Sequence, residues 1–460
     1  MNDTSTALSH GAVGDSGLMS RYAAIVAENT KIDPALYEKY NVKRGLRNAD
    51  GTGVLVGLST VGSVIGYVVE EQDKVPIEGK LIYRGIDVPE IIAGCQREKR
   101  LGFEETAFLL LFGKLPARSE LQDFNTMLDG VRALPHGFKE DAILRSPSPD
   151  IMNKLARCIL SSYAYDPTPD DIGCENVLRQ CLALIARFPT FIAYGYQAKA
   201  HYFRNESLFL HNPVEGKSTA ETFLMLMRPD SAYTALEAEI LDLCLILHAE
   251  HGGGNNSTFT NHVVTSTHTD TYSAMAASVL ALKGPLHGGA NLQVERMMAD
   301  IQANVKDWTN EGAVADYLNK ILAKQAFDKK GLIYGLGHAV YTLSDPRTAI
   351  LREKARELAA NSDKAEIFAL YQTVERLGPE LFRASRNLKN GLCVNVDFYS
   401  GLVYTMLGIP AELYTPLFAM ARIAGWSAHR LEELLCGGKI IRPAYKSIAP
   451  RRNFIPIDIR

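Results

Sequence analysis

Three histidines and one aspartate stand where their chemistry is worth asking about first. His287 lies in Gly284-Pro285-Leu286-His287-Gly288-Gly289, just before apolar residues Ala290, Val294, Met297, Met298 and Ile301 at helical spacing. The positive end of a helix dipole keeps such a ring neutral, able to donate a hydrogen bond to a carbonyl oxygen that turns enolate-like. The plain structural alternative is a capping histidine. His338 lies in Gly335-Leu336-Gly337-His338-Ala339-Val340-Tyr341, followed by Asp345-Pro346-Arg347. Asp345 reads as an N-cap and Pro346 as the first helical residue. Arg347 then falls in a first turn, against the dipole, where a nearby anion would explain the placement; the plain alternative is a solvated arginine. The glycines around Leu336 complete neither a Walker pattern nor G-x-G-x-x-G, so they make a poor phosphate cradle.

Asp397, in Asn395-Val396-Asp397-Phe398, opens the apolar segment Phe398 to Leu407. It reads either as an N-cap or as a partly desolvated general base with heightened proton affinity. Arg422 sits in Phe418-Ala-Met-Ala-Arg-Ile-Ala-Gly-Trp426, an apolar context in which a guanidinium calls for a carboxylate partner. His251 follows the all-round apolar segment Ala235 to Leu247 and precedes Gly252-Gly253-Gly254-Asn255. Such a segment is a buried helix, and the glycines stop it while letting backbone approach a ligand. The carboxyl end of that helix favours a cationic His251, suited to an anionic ligand.

The elements that position these residues are mostly helical. Gly51 to Arg84, rich in Gly, Val and Thr with short apolar runs such as Val54 to Leu58, predicts a small sheet near the N-terminus. Leu101 to Phe112 makes a compact helical face ended by Gly113, and helices dominate beyond it. The Pro/Asp clusters at 146–150 and 166–170 start helices rather than link domains. Met1 to Ser20 lacks Lys, Arg and an apolar core, so it reads as a disordered tail and not as a targeting peptide.

With Lys+Arg 49 against Asp+Glu 52 among 460 residues, the net charge of −3 leaves no basic footprint for nucleic acid. Phe398 to Ala411 is the most apolar later stretch and spans 14 residues, short of the roughly 18 needed to cross a bilayer. No membrane is expected. Seven dispersed cysteines without C-x-x-C suit a reducing compartment, and a cytoplasmic location is expected.

Taken together, GPLHGGAN, GLGHAVY followed by DPR, and NVDFYSG resemble the citrate synthase family, including the 2-methylcitrate synthases, from about Arg44 to about Pro443. Supporting matches are Gly45-Leu-Arg47, Tyr83-Arg-Gly85, Leu109-Leu-Leu-Phe-Gly113 and Arg422-Ile-Ala-Gly-Trp426. The resemblance implies a mainly α, two-domain helical fold with a small N-terminal β-sheet. Residues 1–287 and 394–460 would form the large domain and 288–393 the small one, with the active site in the cleft. It implies condensation of acetyl-CoA with oxaloacetate and water to citrate and CoA, or of propionyl-CoA in the 2-methylcitrate variant. Asp397 would be the base, with His287 and His338 as hydrogen-bond donors or acids. Substrate binding would fall to His251, Asn255, Arg347, Arg422 and Arg442, the last contributed in trans within a homodimer. No metal and no permanently bound cofactor are implied, and acetyl-CoA is a co-substrate. Thr342 and Ala444 depart from basic residues common in the family, and Gly252 from an acidic one. They bear on contacts to CoA or substrate, not on the three catalytic positions.

Two other functions fit some of the same residues. His248, His251 and His262 could be the ligands of a metal-dependent hydrolase, although no H-E-x-x-H occurs. A non-catalytic helical scaffold would have lost reactive side chains first, yet His287, His338, Asp397 and the three arginines are all present.

Overall fold

The computed structural model describes residues 16–48, 51–70, 73–360, 362–387 and 391–459. Two compact units divide the chain, 1–58 and 59–460. The first contains α1 (Ser16–Asn29), α2 (Ala35–Lys39) and an isolated bridge between Arg47 and Gly53. Of the stretch expected to be a disordered tail, residues 1–15 lie outside the described residues, whereas residues 16–20 form the first turns of α1. Val54 to Leu58 is not a strand.

The second unit opens with the antiparallel sheet β1 (Gly62–Glu70), β2 (Asp73–Tyr83) and β3 (Ile86–Asp87), in that spatial order. The sheet expected near the N-terminus is therefore present, and its β1–β2 register shifts between Ile65 and Tyr67. Helices follow: α3 (Val88–Arg97), α4 (Phe103–Phe112), α5 (Arg118–Arg132), α6 (Ile151–Ser162), α7 (Cys174–Arg204), α8 (Thr219–Met227), α9 (Ala235–His248), α10 (Asn256–Thr265) and α11 (Thr271–Lys283). Beyond these run α12 (Ala290–Asn304), α13 (Glu311–Leu322), α14 (Pro346–Ala360), α15 (Ala365–Arg386), α16 (Val396–Met406) and α17 (Tyr414–Leu435).

Local chemistry sets many of the boundaries. Asp150, Ser218, Thr234, Asn255, Asp270, Asn310 and Asn395 each accept a backbone N–H with the side chain at a helix start. Gly113, at φ 74°, closes α4 in the left-handed region. α7 is long and apolar enough to cross a membrane, but 83% of its apolar window is buried inside the protein, packed against α5, α6, α8 and α17. It is the core helix. α17 in turn packs on α4, α9, α10 and α11, while α12 and α14 pack on α16, and α13 on α15. The site forms where α9, α14, α16 and α17 place their ends and faces.

Candidate active site

Two buried guanidiniums organise the centre. Arg422 on α17 donates from Nε to the His248 carbonyl at 2.7 Å and lies 4.8 Å from the centroid of the Phe418 ring. Among the described residues no carboxylate is bonded to it, contrary to the expectation from the sequence; the His248 carbonyl at the end of α9 accepts instead. Its Nη2 is buried without a hydrogen-bond partner, and burial lowers its pKa to about 10. Arg347 on α14 has the anion its position called for. Asp345 takes its Nε at 2.9 Å and its Nη2 at 2.7 Å. The same carboxylate accepts the N–H groups of Arg347 and Val396, each at 3.1 Å, so it starts α14 and fastens the start of α16.

The other candidates converge on these cations. Arg422 acts electrostatically on His251, His287 and Asp397, and Arg347 on His251 and Asp397.

His287 Nε2 accepts the Ser257 N–H at 3.2 Å and lies 2.9 Å from the Ser257 hydroxyl. An accepting Nε2 leaves the proton on Nδ1, the nitrogen free to donate. Burial first and Arg422 second push its pKa down to about 4. The ring is neutral as expected, though desolvation leads as the cause. His338 is fixed the opposite way: its Nδ1 accepts from Val340 and Tyr341 N–H, both at 3.1 Å, which puts the proton on Nε2. Its ring stacks on Tyr341 at 4.6 Å and meets His251 edge-on at 5.0 Å. This loop rests on the sheet because of a missing side chain: a Cβ at Gly79 would collide with the Ser344 carbonyl and the Tyr341 ring.

His251 departs from expectation. Its pKa is pushed well below the usual value by burial, then by Arg347 and His338, so the ring is neutral rather than cationic. It also lies three residues past the last residue of α9, and two buried guanidiniums outweigh the dipole of that helix. Its Nε2 is buried and unpartnered.

Asp397 occupies the first turn of α16, but the cap is Asn395, whose side chain accepts the Asp397 N–H at 3.0 Å. The carboxylate is thus spared from capping. Burial raises its pKa to about 6 against the opposing pull of Arg347. A base of this kind is ionised at neutral pH yet holds a proton better than an ordinary aspartate.

Asn255 is held in place by local hydrogen bonds at the start of α10. Its oxygen caps α10 through the Thr258 N–H and its nitrogen donates to the Gly252 carbonyl and Thr258 Oγ1. Arg442 stays apart, exposed on the segment beyond α17. The three histidines of the metal reading do not converge: His248 bonds the Cys244 carbonyl, and His262 bonds Glu433 and His429. Sequence reading missed Ser257, Tyr341 and the second role of Asp345. Only Asp345, already visible as a cap, carried a signal.

The family described as "Citrate synthase, C-terminal domain" matches residues 52–444. A citrate synthase of Synechocystis sp. is 34% identical over 390 residues, covering 83% of this chain and 89% of that protein. A 2-methylcitrate synthase of Shewanella oneidensis is 32% identical over 382 residues, covering 83% and 92%. A solved ternary complex of citrate synthase from Thermoplasma acidophilum with carboxymethyl coenzyme A and oxaloacetate superposes with TM-score 0.74 at 25% identity, covering 91% of this chain and 99% of that one. The fold and these relatives define an acyltransferase. The chain belongs to the citrate synthase family.

Proposed function

We propose that the protein condenses acetyl-CoA with oxaloacetate and water, releasing citrate and CoA. The observation that carries this reading is the pairing of opposite tautomers: His287 presents Nδ1–H and His338 presents Nε2–H, in a centre that also holds the proton-avid carboxylate of Asp397. Asp397 removes a methyl proton from the thioester. His287 donates to the thioester oxygen, so an enol forms without a full enolate charge in a low-dielectric site. His338 donates to the ketone oxygen of oxaloacetate and protonates it as the carbon–carbon bond forms. Water then cleaves the citryl thioester.

Arg347 and Arg422 bind the two oxaloacetate carboxylates by charge-assisted bonds, and the unpartnered Nη2 of Arg422 and Nε2 of His251 are groups a ligand would satisfy. Their separation in sequence supports closure: His338 and Arg347 belong to 288–393, the segment proposed to move as a small domain, and His251 and Arg422 to the remainder. Closure over oxaloacetate would then form the acyl-CoA pocket and exclude water. We place Arg442 in the site of the partner copy of a homodimer, a role for which its exposure on an extended segment leaves it available. A cytoplasmic location is proposed from seven cysteines that are all unpaired.

The test is product identification. Purified protein given acetyl-CoA and oxaloacetate should yield citrate and free thiol in equal amounts, with propionyl-CoA run in parallel. Relatives of both kinds, citrate synthase and 2-methylcitrate synthase, are similar to this chain, and one methylene in a pocket changes preference by only ~1–3 kcal/mol. Faster turnover of propionyl-CoA would assign the 2-methylcitrate reaction; no oxaloacetate-dependent thiol from either would refute the proposal.

A further inference from the structure

A second set of titratable side chains runs from the residue beside His251 to the protein surface. Glu250 Oε1 lies 3.0 Å from His429 Nε2, His429 Nδ1 3.2 Å from His262 Nε2, and His262 Nδ1 2.8 Å from Glu433 Oε2. Glu250 and His429 side chains are fully buried, and exposure reaches 18% only at Glu433. Glu250 Oε1 also takes the Gly252 N–H, while its Oε2 is buried without a partner. The chain joins three supports of the site. Glu250 lies in the loop that carries His251. His262 is on α10, whose Ser257 holds His287. His429 and Glu433 are on the α17 face of Arg422, at spacings of seven and eleven residues.

Counting protons defines its state. Ionised carboxylates only accept, so His429 Nε2–H must donate to Glu250 and His262 Nδ1–H to Glu433. Two neutral rings are thereby used up, and His429 Nδ1 and His262 Nε2 would face each other with lone pairs. Their 3.2 Å contact is a hydrogen bond only if one more proton is present. A second extra proton would set N–H against N–H. Burial and the charge of His429 both push the pKa of His262 down, in keeping with one added proton and not two. Placing the added proton on a terminal carboxyl changes its location but not the count.

The charges facing the chain are few. Glu432 Oε2 is 3.8 Å from His429 Nδ1, and its other oxygen takes Thr60 N–H and hydroxyl, both at 2.7 Å. Arg84 and Arg422 act on Glu250, and the Tyr83 hydroxyl bonds the Glu250 backbone. Three carboxylates therefore surround the two rings, against two guanidiniums.

We propose that Glu250, His429, His262 and Glu433 form a one-proton clamp that positions His251, Arg422 and His287, so that oxaloacetate binding weakens when the shared proton leaves. This rests on the proposed reaction only for the identity of the ligand.

Glu433→Gln is the decisive variant. A carboxamide N–H can donate to His262 Nδ1, His262 Nε2–H to His429, and His429 Nε2–H to Glu250, which completes all three bonds with two neutral rings. In the wild type, KM for oxaloacetate should rise about tenfold as pH is raised through loss of the proton, with kcat changing less, the equivalent of one charge-assisted hydrogen bond. Glu433→Gln should hold a low, pH-independent KM, and His262→Ala a raised KM at every pH. Melting temperature against pH, read without substrate, should have a slope more negative by one proton for the wild type than for Glu433→Gln over the range in which the shared proton is bound. This measurement stands even if the protein condenses nothing. Superimposable wild-type and Glu433→Gln curves in melting temperature would overturn the clamp. Different melting slopes with identical KM profiles would overturn its positioning role.

Discussion

Asp345 Oδ2 accepts the Val396 N–H at 3.1 Å, joining the start of α14 to the start of α16 across 51 residues of sequence. One carboxylate thus orients both the guanidinium of Arg347 and the helix turn that carries Asp397. Burial pushes the Asp345 pKa up, but Arg347 outweighs it and holds the carboxyl below its usual value, so the pair remains ionic although it is buried. Replacing Asp345 by Asn leaves a buried guanidinium without a counter-charge, which costs roughly 3–5 kcal/mol. Denaturant titration should show that loss, and steady-state kinetics a raised KM for oxaloacetate. Unchanged stability and KM would remove Asp345 from this role.

Asp397 makes activity and stability pull apart with pH. Its folded pKa, raised to about 6, exceeds that of an unfolded aspartate, so protonation favours the fold. The stability it contributes is full below about pH 4 and is lost as pH rises through about 6. A base must be ionised, so kcat/KM should fall on the acid side with a midpoint near that pH. Asp397→Asn should melt higher than the wild type at pH 7, while turning over far more slowly. A variant that melts lower would show that the carboxylate supports the fold instead.

Ser257 touches His287 through both N–H and hydroxyl and also accepts Trp426 Nε1–H at 3.3 Å. Ser257→Ala keeps the backbone bond that sets the tautomer and loses the hydroxyl with its contacts to His287, Asn255 Oδ1 and Trp426. A drop in kcat of about tenfold, at near-constant KM for oxaloacetate, is expected from the loss of the bond to His287. A rise in KM alone would place Ser257 on the oxaloacetate side of the site.

Arg442 has a test that needs no partner structure. Subunits with Arg442→Ala are mixed with subunits with Asp397→Asn, with subunit exchange verified. If Arg442 acts in trans, mixed dimers hold one intact and one doubly damaged site, and activity recovers toward roughly a quarter of wild type for independent sites. In cis, every site keeps a lesion and nothing recovers.

Local signals account for what could be read ahead of the structure. The buried helix ending near His251, the start at Asp345-Pro346 and the glycine stop at 113 depend on residues close in sequence, and all three are present. What escaped depends on distant partners. The bond from Arg422 to the His248 carbonyl spans 174 residues, and that from His287 to Ser257 spans 30. The neutral state of His251 escaped for the same reason, because a helix end is visible in sequence while the burial of the ring and the two guanidiniums converging on it are not. Asp397 was ambiguous between cap and base until Asn395, two residues before it, proved to be the cap.

His287, His338 and Asp397 are proposed to carry a condensation that requires oxaloacetate. The direct measurement is CoA thiol release from acetyl-CoA, with and without oxaloacetate, for the wild type, His287→Ala, His338→Ala and Asp397→Asn, each checked by thermal melting. Oxaloacetate-dependent release is expected in the wild type, with losses on the order of 10²–10⁴-fold in each variant and the fold retained. Thiol release that ignores oxaloacetate, or near-normal turnover in any folded variant, would contradict it.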